Sequence, residues 1–142
     1  MKKTIIASVI IFITVNLNAQ TENDIFKYKG IVALFEKKIE SVYDITKEEF
    51  TNEKEIEQRT LLFLSDKEIL IENKKYKIQE KETSKQLDKS TNTYFDFVEY
   101  SCSSEDGAEL IIEITKLENV VYGLRIYYWG PSKTLVKISF QH

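Results

Sequence analysis

The chain is poor in the side chains that most often carry out catalysis. Its single histidine is His142, at the last position, where we expect the ring not to be held rigidly. Without a positioned imidazole, the usual general base and the usual activator of a serine or cysteine nucleophile are missing. Cys102 is the only cysteine, which excludes intramolecular disulfides and the histidine–cysteine sites that bind transition metals. We therefore predict no catalytic, metal-binding or cofactor-binding site, and we do not expect an enzyme.

Carboxylates are plentiful, and two of them could in principle act as acid and base on a glycosidic bond. No pair stands out, because Asp96 and Glu99 fall on opposite faces of one predicted strand. Glu109 and Glu113 share a face, but that face has the pattern of a solvated surface. The segment 105–109 lacks the spacing of a calcium loop, and a hairpin turn at Asp106-Gly107 explains it without an ion. Ordinary surface charge is the favoured interpretation of all these residues.

The residues best suited to binding lie between positions 120 and 129. Alternation assigns Val120, Tyr122, Leu124, Ile126 and Tyr128 to the core. The opposite face then carries Val121, Arg125, Tyr127 and Trp129. Because tryptophan, tyrosine and arginine are enriched at binding hot spots, this face is a candidate interaction face. The alternative, which weighs slightly more, is that segment 47–59 or a second sheet covers it.

Strands must position these residues, because the second half of the chain alternates apolar and polar residues with period two. The alternation covers 109–114, 120–128 and 134–140, with turn residues between these segments at Glu118-Asn119 and Gly130-Pro131-Ser132. In the first and third segments, the residues that share the apolar face are Leu110, Ile112 and Ile114, and Val136, Ile138 and Phe140. Shorter apolar runs at 61–64, 69–71, 76–79 and 93–102 predict further strands. Cys102 then lies in a strand as a half-buried residue, with an intermolecular bridge and a reactive thiol as open alternatives.

Three segments do not follow this pattern. Segment 25–45 fits helical spacing, but β-branched residues and Gly30 favour two strands, 25–35 and 39–45, with a turn at 36–38. Segment 47–59 is so heavily charged that we expect a solvated loop or a short exposed helix. Segment 83–92 is polar, and we interpret it as a long loop.

Together these elements predict an all-β fold, mainly an antiparallel meander of about seven to nine strands, closed as a small barrel or a two-layer sandwich. In size and strand order this is similar to the small ligand-binding barrels of the lipocalin type. The similarity is one of architecture, because the Gly-x-Trp signature of that family is not found at the first strand.

Residues 1–19 have the order of a secretory signal peptide. Lys2 and Lys3 precede an apolar run from Ile5 to Val15, and Ala19 is the small residue that signal peptidase requires. The run is shorter than the ~20 residues of a membrane span, and no cysteine for a lipid anchor lies near the cleavage site. We expect a bacterial Sec-type signal helix, followed by one domain, 20–142, in the periplasm or outside the cell.

The predicted mature chain is acidic, with 18 basic and 23 acidic residues and hence a net charge of −5. Lysines alternate with glutamates, so the basic face that nucleic acid or an anionic membrane needs is missing. The leading hypothesis is an exported, non-catalytic module that binds a small apolar or amphipathic ligand. The alternative is a periplasmic or envelope protein that binds another protein, and a carboxylate-dependent hydrolase ranks lowest. The oligomeric state is left open.

Overall fold

Eight antiparallel strands form one closed barrel, in which neighbours in sequence are neighbours in space. The structure is a computed structural model and describes residues 31–118 and 120–142. The strands are β1 (Ile31–Asp44), β2 (Glu49–Leu64), β3 (Glu68–Ile71), β4 (Lys74–Asp88), β5 (Thr93–Ser104), β6 (Glu109–Leu117), β7 (Val120–Trp129) and β8 (Leu135–Gln141). The prediction of an all-β meander is confirmed, and the two-layer alternative gives way to a barrel because β1 also pairs with β8. The predicted signal peptide lies outside the described residues.

The interior of the barrel is filled by alternate side chains from every strand. The largest fully buried apolar residues are Phe35, Leu62, Ile69, Ile71, Ile112, Ile114, Val121 and Leu124. The turns 72–73, 105–108 and 130–134 follow β3, β5 and β7, and because alternate turns of a meander lie at the same end, these three lie at one end of the barrel. At 72–73 both residues have positive φ, which matches the type I′ turn that suits the twist of a two-residue hairpin.

The predicted turn at 36–38 is wrong, because β1 runs unbroken through it. The chain passes this point through an irregularity in the pairing with β2, between Phe35 and Lys37. Lys38 then pairs with Phe140 on its other side and points its side chain towards the interior. Hydrogen bonding to strands on both sides holds this charged segment extended, and that pairing is not visible in a local pattern.

The two predicted loops are also wrong. Segment 47–59 belongs mostly to β2, and segment 83–92 mostly to β4. Since β3 has only four residues, long parts of β2 and β4 pair within the described barrel with one neighbour only, β1 and β5 respectively. These parts form hairpin arms in which most side chains are exposed to solvent, so apolar alternation is not required of them. Their charged residues also discourage pairing with another sheet edge.

The ring of His142 is held in place, contrary to the sequence-based expectation. Its Nδ1 lies 2.9 Å from the carbonyl oxygen of Leu34, and its Nε2 lies 3.1 Å from that of Val121. The ring also stacks on Phe35, with 5.0 Å between centroids. Because a carbonyl oxygen only accepts hydrogen bonds, each contact is a hydrogen bond when the ring nitrogen that faces the carbonyl carries a proton. His142 thereby connects β1 with β7.

Within the described residues, no helix has the length and apolar character needed to cross a membrane.

Candidate functional site

A cavity of about 530 Å³ opens at the end of the barrel where turns 72–73 and 105–108 lie. We call it the mouth cavity. Its apolar wall is formed by Leu110, Ile126 and Ile138, which face the interior from β6, β7 and β8. Tyr76 and Tyr128 add two aromatic rings, and Trp129 stands at the rim. The volume falls within the ~300–1,000 Å³ range of small-molecule sites, which likewise combine apolar walls with a few polar groups.

Tyr76 connects the apolar wall with a charged region of the barrel interior. Burial raises the pKa of its hydroxyl, and the negative charge of Glu72 together with nearby Tyr128 and Cys102 raises it further. The neutral phenol is therefore the form present near neutral pH, and it can both donate and accept a hydrogen bond inside the cavity.

The charged region is a cluster around Lys38, which we call the inner cluster. The Lys38 ammonium lies 3.4 Å from Glu40 Oε1 and 3.7 Å from Glu72 Oε1. Gln58 Nε2 donates to Glu72 Oε1 at 2.6 Å, and the Thr60 hydroxyl lies 3.3 Å from the same oxygen. The Lys38 and Glu72 side chains are largely buried, with exposures of 15% and 19%. Buried charges of this kind persist only when they are paired and hydrogen-bonded.

Glu72 has an unfavourable backbone conformation, with φ of 53° in the turn between β3 and β4. Glycine or asparagine is usual at such a position, because a Cβ atom is disfavoured in the left-handed region. A glutamate here is compensated by the contacts that its carboxylate makes in the inner cluster. Strain of this kind is a reason to examine a residue for function.

The sequence analysis missed the mouth cavity and the inner cluster. Lys38 was placed in a turn, and Glu72 was not singled out. Only the inward direction of Leu110, Ile126, Tyr128 and Ile138 followed from alternation, and it is confirmed. A glutamate at a tight turn between two apolar runs is a weak signal, and the pairing irregularity that turns Lys38 inward has no signature in the sequence.

The predicted interaction face is corrected at Val121, which lies in the core with 1% exposure. A bulge between β6 and β7 causes this, because Thr115 pairs with Gly123 and Lys116 with Val121, which leaves Tyr122 as the extra residue. The alternation therefore reverses at the bulge. Val120 and Tyr122, assigned to the core from the sequence, are exposed by 41% and 53%. Arg125, Tyr127 and Trp129 do share the outer face, as predicted.

Tyr127 on this face is covered by the β1–β2 arm. The centroid of the Phe50 ring lies 6.0 Å from that of Tyr127 and 5.3 Å from that of Tyr43. The Lys137 ammonium lies 4.4 Å from the centroid of the Phe50 ring. The β1–β2 pairing is irregular near Asn52, which has φ of 56°, and this allows the arm to fold over β8 and β7. Covering by segment 47–59 was the alternative interpretation of this face, and at Tyr127 it is correct.

Arg125 pairs with a carboxylate that is almost buried. Its Nη1 lies 3.7 Å from Glu113 Oε2, an inaccessible atom that has no hydrogen-bond partner among the described residues. Burial raises the pKa of Glu113, and Glu99 acts in the same direction, while Tyr127 and Arg125 oppose them. We interpret this group as a structural ion pair beneath the outer surface.

Trp129 is the uncovered member of the predicted face, with 69% exposure. It lies between the rim of the mouth cavity and a groove of about 390 Å³ on the outside of the barrel. Ile111, Tyr127 and Leu135 line that groove with it. The face predicted from the sequence therefore does not form one continuous surface. Val121 is buried, Arg125 is ion-paired, Tyr127 is covered by the β1–β2 arm, and Trp129 is exposed.

A basic cluster lies on the inner side of β4, β5 and β6, away from the mouth. Burial lowers the pKa of Lys116, and the charge of Lys81 lowers it further, while Asp96 opposes both. Lys85 lies 3.7 Å from Asp96, and Lys81 lies 5.9 Å from the centre of the Tyr100 ring. The charges on this part of the sheet are thus mainly positive, whereas those of the inner cluster are mainly negative.

The remaining candidates offer little chemistry. Cys102 is buried in β5, and burial raises the pKa of its thiol to about 11, so the reactive thiolate is scarce at neutral pH. No group of three metal-ligating side chains occurs within 31–118 and 120–142. Glu40 and Glu72 converge, but on an ammonium that lies between them, as in a structural ion cluster.

Comparison with known proteins gives no relative for this chain: no protein-family profile, no curated protein and no solved structure matches it.

Proposed function

We propose that this protein is an exported, non-catalytic carrier or sensor that binds a small amphipathic molecule in the mouth cavity. The observation that supports it is an apolar cavity of about 530 Å³ at the open end of a closed barrel. Eight-stranded barrels, lipocalins among them, are wide enough to hold one small ligand in this way. Export rests on the order of residues 1–19 and remains part of the proposal.

Native mass spectrometry of the protein purified from an exporting host is the first test. A bound molecule of a few hundred daltons that is lost on denaturation supports the proposal, and the intact mass reports whether residues 1–19 are removed. The ligand-free protein is then titrated with N-phenyl-1-naphthylamine, a neutral apolar fluorophore whose emission increases in an apolar environment.

Ile138→Phe is expected to block the mouth cavity, because Ile138 lines it, and to weaken binding of the fluorophore at least about tenfold. Ile111→Phe is the matched control. Ile111 lies on the outside of the barrel with 38% exposure, so the same enlargement leaves the cavity unchanged. If the wild type binds neither a copurified molecule nor the fluorophore, the protein is not a carrier of this kind.

A second function, binding of a protein partner, is favoured by the exposed Trp129 beside Ile111 and Leu135. Exposed aromatic residues next to an apolar groove are typical of hot spots. A photo-crosslinking amino acid at position 129, compared with one at the equally exposed Tyr94, tests it in the exporting host. Equal crosslinking at both positions would contradict a specific partner at this groove.

A further inference from the structure

The mouth cavity and inner cluster together indicate which chemical class of ligand the barrel accepts, an inference that rests on the proposed function. The charges of the inner cluster do not balance, because Lys38 faces the two carboxylates of Glu40 and Glu72. One negative charge is therefore in excess on this side of the interior. At the rim, Glu105, Asp106 and Glu109 outnumber Lys74 and Lys75.

Glu72 has an oxygen to offer to a ligand. Its contacts with Lys38, Gln58 and Thr60 are all made by Oε1. Glu72 directly precedes Asn73, which lines the mouth cavity, and Glu40 of the inner cluster pairs in register with Ile138 of the cavity wall. The inner cluster therefore borders the mouth cavity. Oε2 can thus accept a hydrogen bond from a donor that enters the cavity without disturbing the inner cluster.

The aromatic residues of the cavity favour a positively charged group, as the Glu72 carboxylate does. Tyr76, Tyr128 and Trp129 line it, and the face of each ring carries partial negative charge that attracts a cation. The apolar wall of Leu110, Ile126 and Ile138 favours a hydrocarbon chain. A ligand that satisfies both has a positively charged, hydrogen-bond-donating head and an apolar body.

We infer that the mouth cavity binds an amphipathic organic ammonium ion. Its chain packs on Leu110, Ile126 and Ile138, and its ammonium group lies between the two tyrosines and the Glu72 carboxylate. Lys38 holds Glu72 in the turn and orients it, and the aromatic rings replace part of the water that the ammonium loses.

Three probes that share a hexyl chain and differ in the charge of the head group separate the contribution of charge to the binding affinity from that of apolar burial. The protein is titrated at pH 7 with n-hexylammonium, n-hexanol and n-hexanoate, by calorimetry and by the fluorescence of Trp129, the only tryptophan. We expect hexylammonium to bind at least about tenfold more tightly than hexanoate and several-fold more tightly than hexanol, with a preference that weakens as salt is added.

Glu72→Gln keeps the size of the side chain and removes its charge. We expect it to reduce the preference for hexylammonium over hexanol to about twofold or less, while the affinity for hexanol stays unchanged. Glu82→Gln is the matched control, because Glu82 is an exposed carboxylate of β4 that pairs with Glu99 and takes no part in the inner cluster. It removes the same net charge and should leave the preference intact.

The two proposals fail separately. Equal binding of hexanol and hexylammonium, or tightest binding of hexanoate, overturns the ammonium inference and leaves the carrier proposal standing. If none of the three probes binds and the neutral fluorophore does not bind either, both proposals are overturned. The comparison of the three probes on the wild type decides the question even if Glu72→Gln fails to fold.

Discussion

Glu113 is a carboxylate whose surroundings work against its charge. Its side chain is only 16% exposed, and the guanidinium that faces it is 3.7 Å away, at the edge of useful pairing. Burial outweighs Tyr127 and Arg125, so the pKa is raised above its ordinary value of 4.5. In the pH range between these two values the folded state binds more protons than the unfolded state. Stability therefore falls as pH rises through that range.

Glu113→Gln is consequently expected to be at least as stable as the wild type at pH 7, because it removes a charge that is costly to bury. The advantage should disappear below about pH 4, where Glu113 is protonated in both states. Urea unfolding between pH 3.5 and 7 measures it. Glu109→Gln, on the exposed part of the same strand, should show no such trend. If the free energy of unfolding of the wild type instead increases relative to that of the variant as pH rises, the attraction of Arg125 outweighs the effect of burial on the Glu113 pKa.

At the scale of residues, the sequence predicts well where the local pattern is regular. Ile112, Ile114 and Phe140 were assigned to a buried face from their spacing, and they are buried. Val121 and Tyr122 were exchanged because a single bulged residue reverses the alternation. The inward position of Lys38 could not be predicted, since it depends on a pairing irregularity between distant strands.

The β1–β2 arm is the element whose behaviour differs most from expectation. Segment 47–59 has almost no apolar residues with which to form a core, yet most of it forms a strand because β1 pairs with it along its length, apart from local irregularities. Phe50, one of its few apolar residues, attaches the arm to the barrel by packing on Tyr127 and beneath Lys137. Strands β6, β7 and β8 were predictable because one face of each is buried in the core and so alternates in polarity. Most of β2 and β4 lies in the exposed arms, where no such alternation is required.

Phe50→Ala is expected to release the arm and to lower the free energy of unfolding by about 2 kcal/mol, since two aromatic contacts and one cation–π contact are lost. Thermal unfolding measures the loss, and hydrogen exchange of the β2 amides should increase. Tyr94→Ala removes a ring of 63% exposure and should change stability by less than about 0.5 kcal/mol. Equal effects of the two substitutions would show that the arm is not attached through Phe50.

For the whole molecule, the decisive contact is the one that closes the barrel. Seven of the strand pairings join neighbours in the chain, and within the described residues only the pairing of β1 with β8 joins the first strand to the last. His142 reinforces that closure by contacting Leu34 in β1 and Val121 in β7. The meander itself was predictable from the chain order of strands and short turns, whereas the choice of a barrel over a sandwich depends on this single long-range pairing.

His142→Ala removes the polar contacts of the ring with Leu34 and Val121 and its stacking on Phe35, and it should cost about 1–2 kcal/mol of stability. Gln141→Ala, at the exposed last residue of β8 immediately before His142, is the control and should cost little. Chemical denaturation followed by circular dichroism measures both. A His142→Ala variant as stable as the control would mean that the β1–β8 ladder closes the barrel without help.

The turns at the mouth end have a consequence for adaptation. Turn 105–108 lines the mouth cavity, and turn 130–134 directly follows Trp129 at its rim. Both turns lie outside the paired strands that enclose the core. Substitutions and insertions at such tips disturb few buried contacts. The rim could therefore diversify, in nature or in a designed library, while the scaffold stays constant. Glu72–Asn73 is the exception, because this turn also carries the carboxylate that anchors the inner cluster, so it would be the last of the three to change.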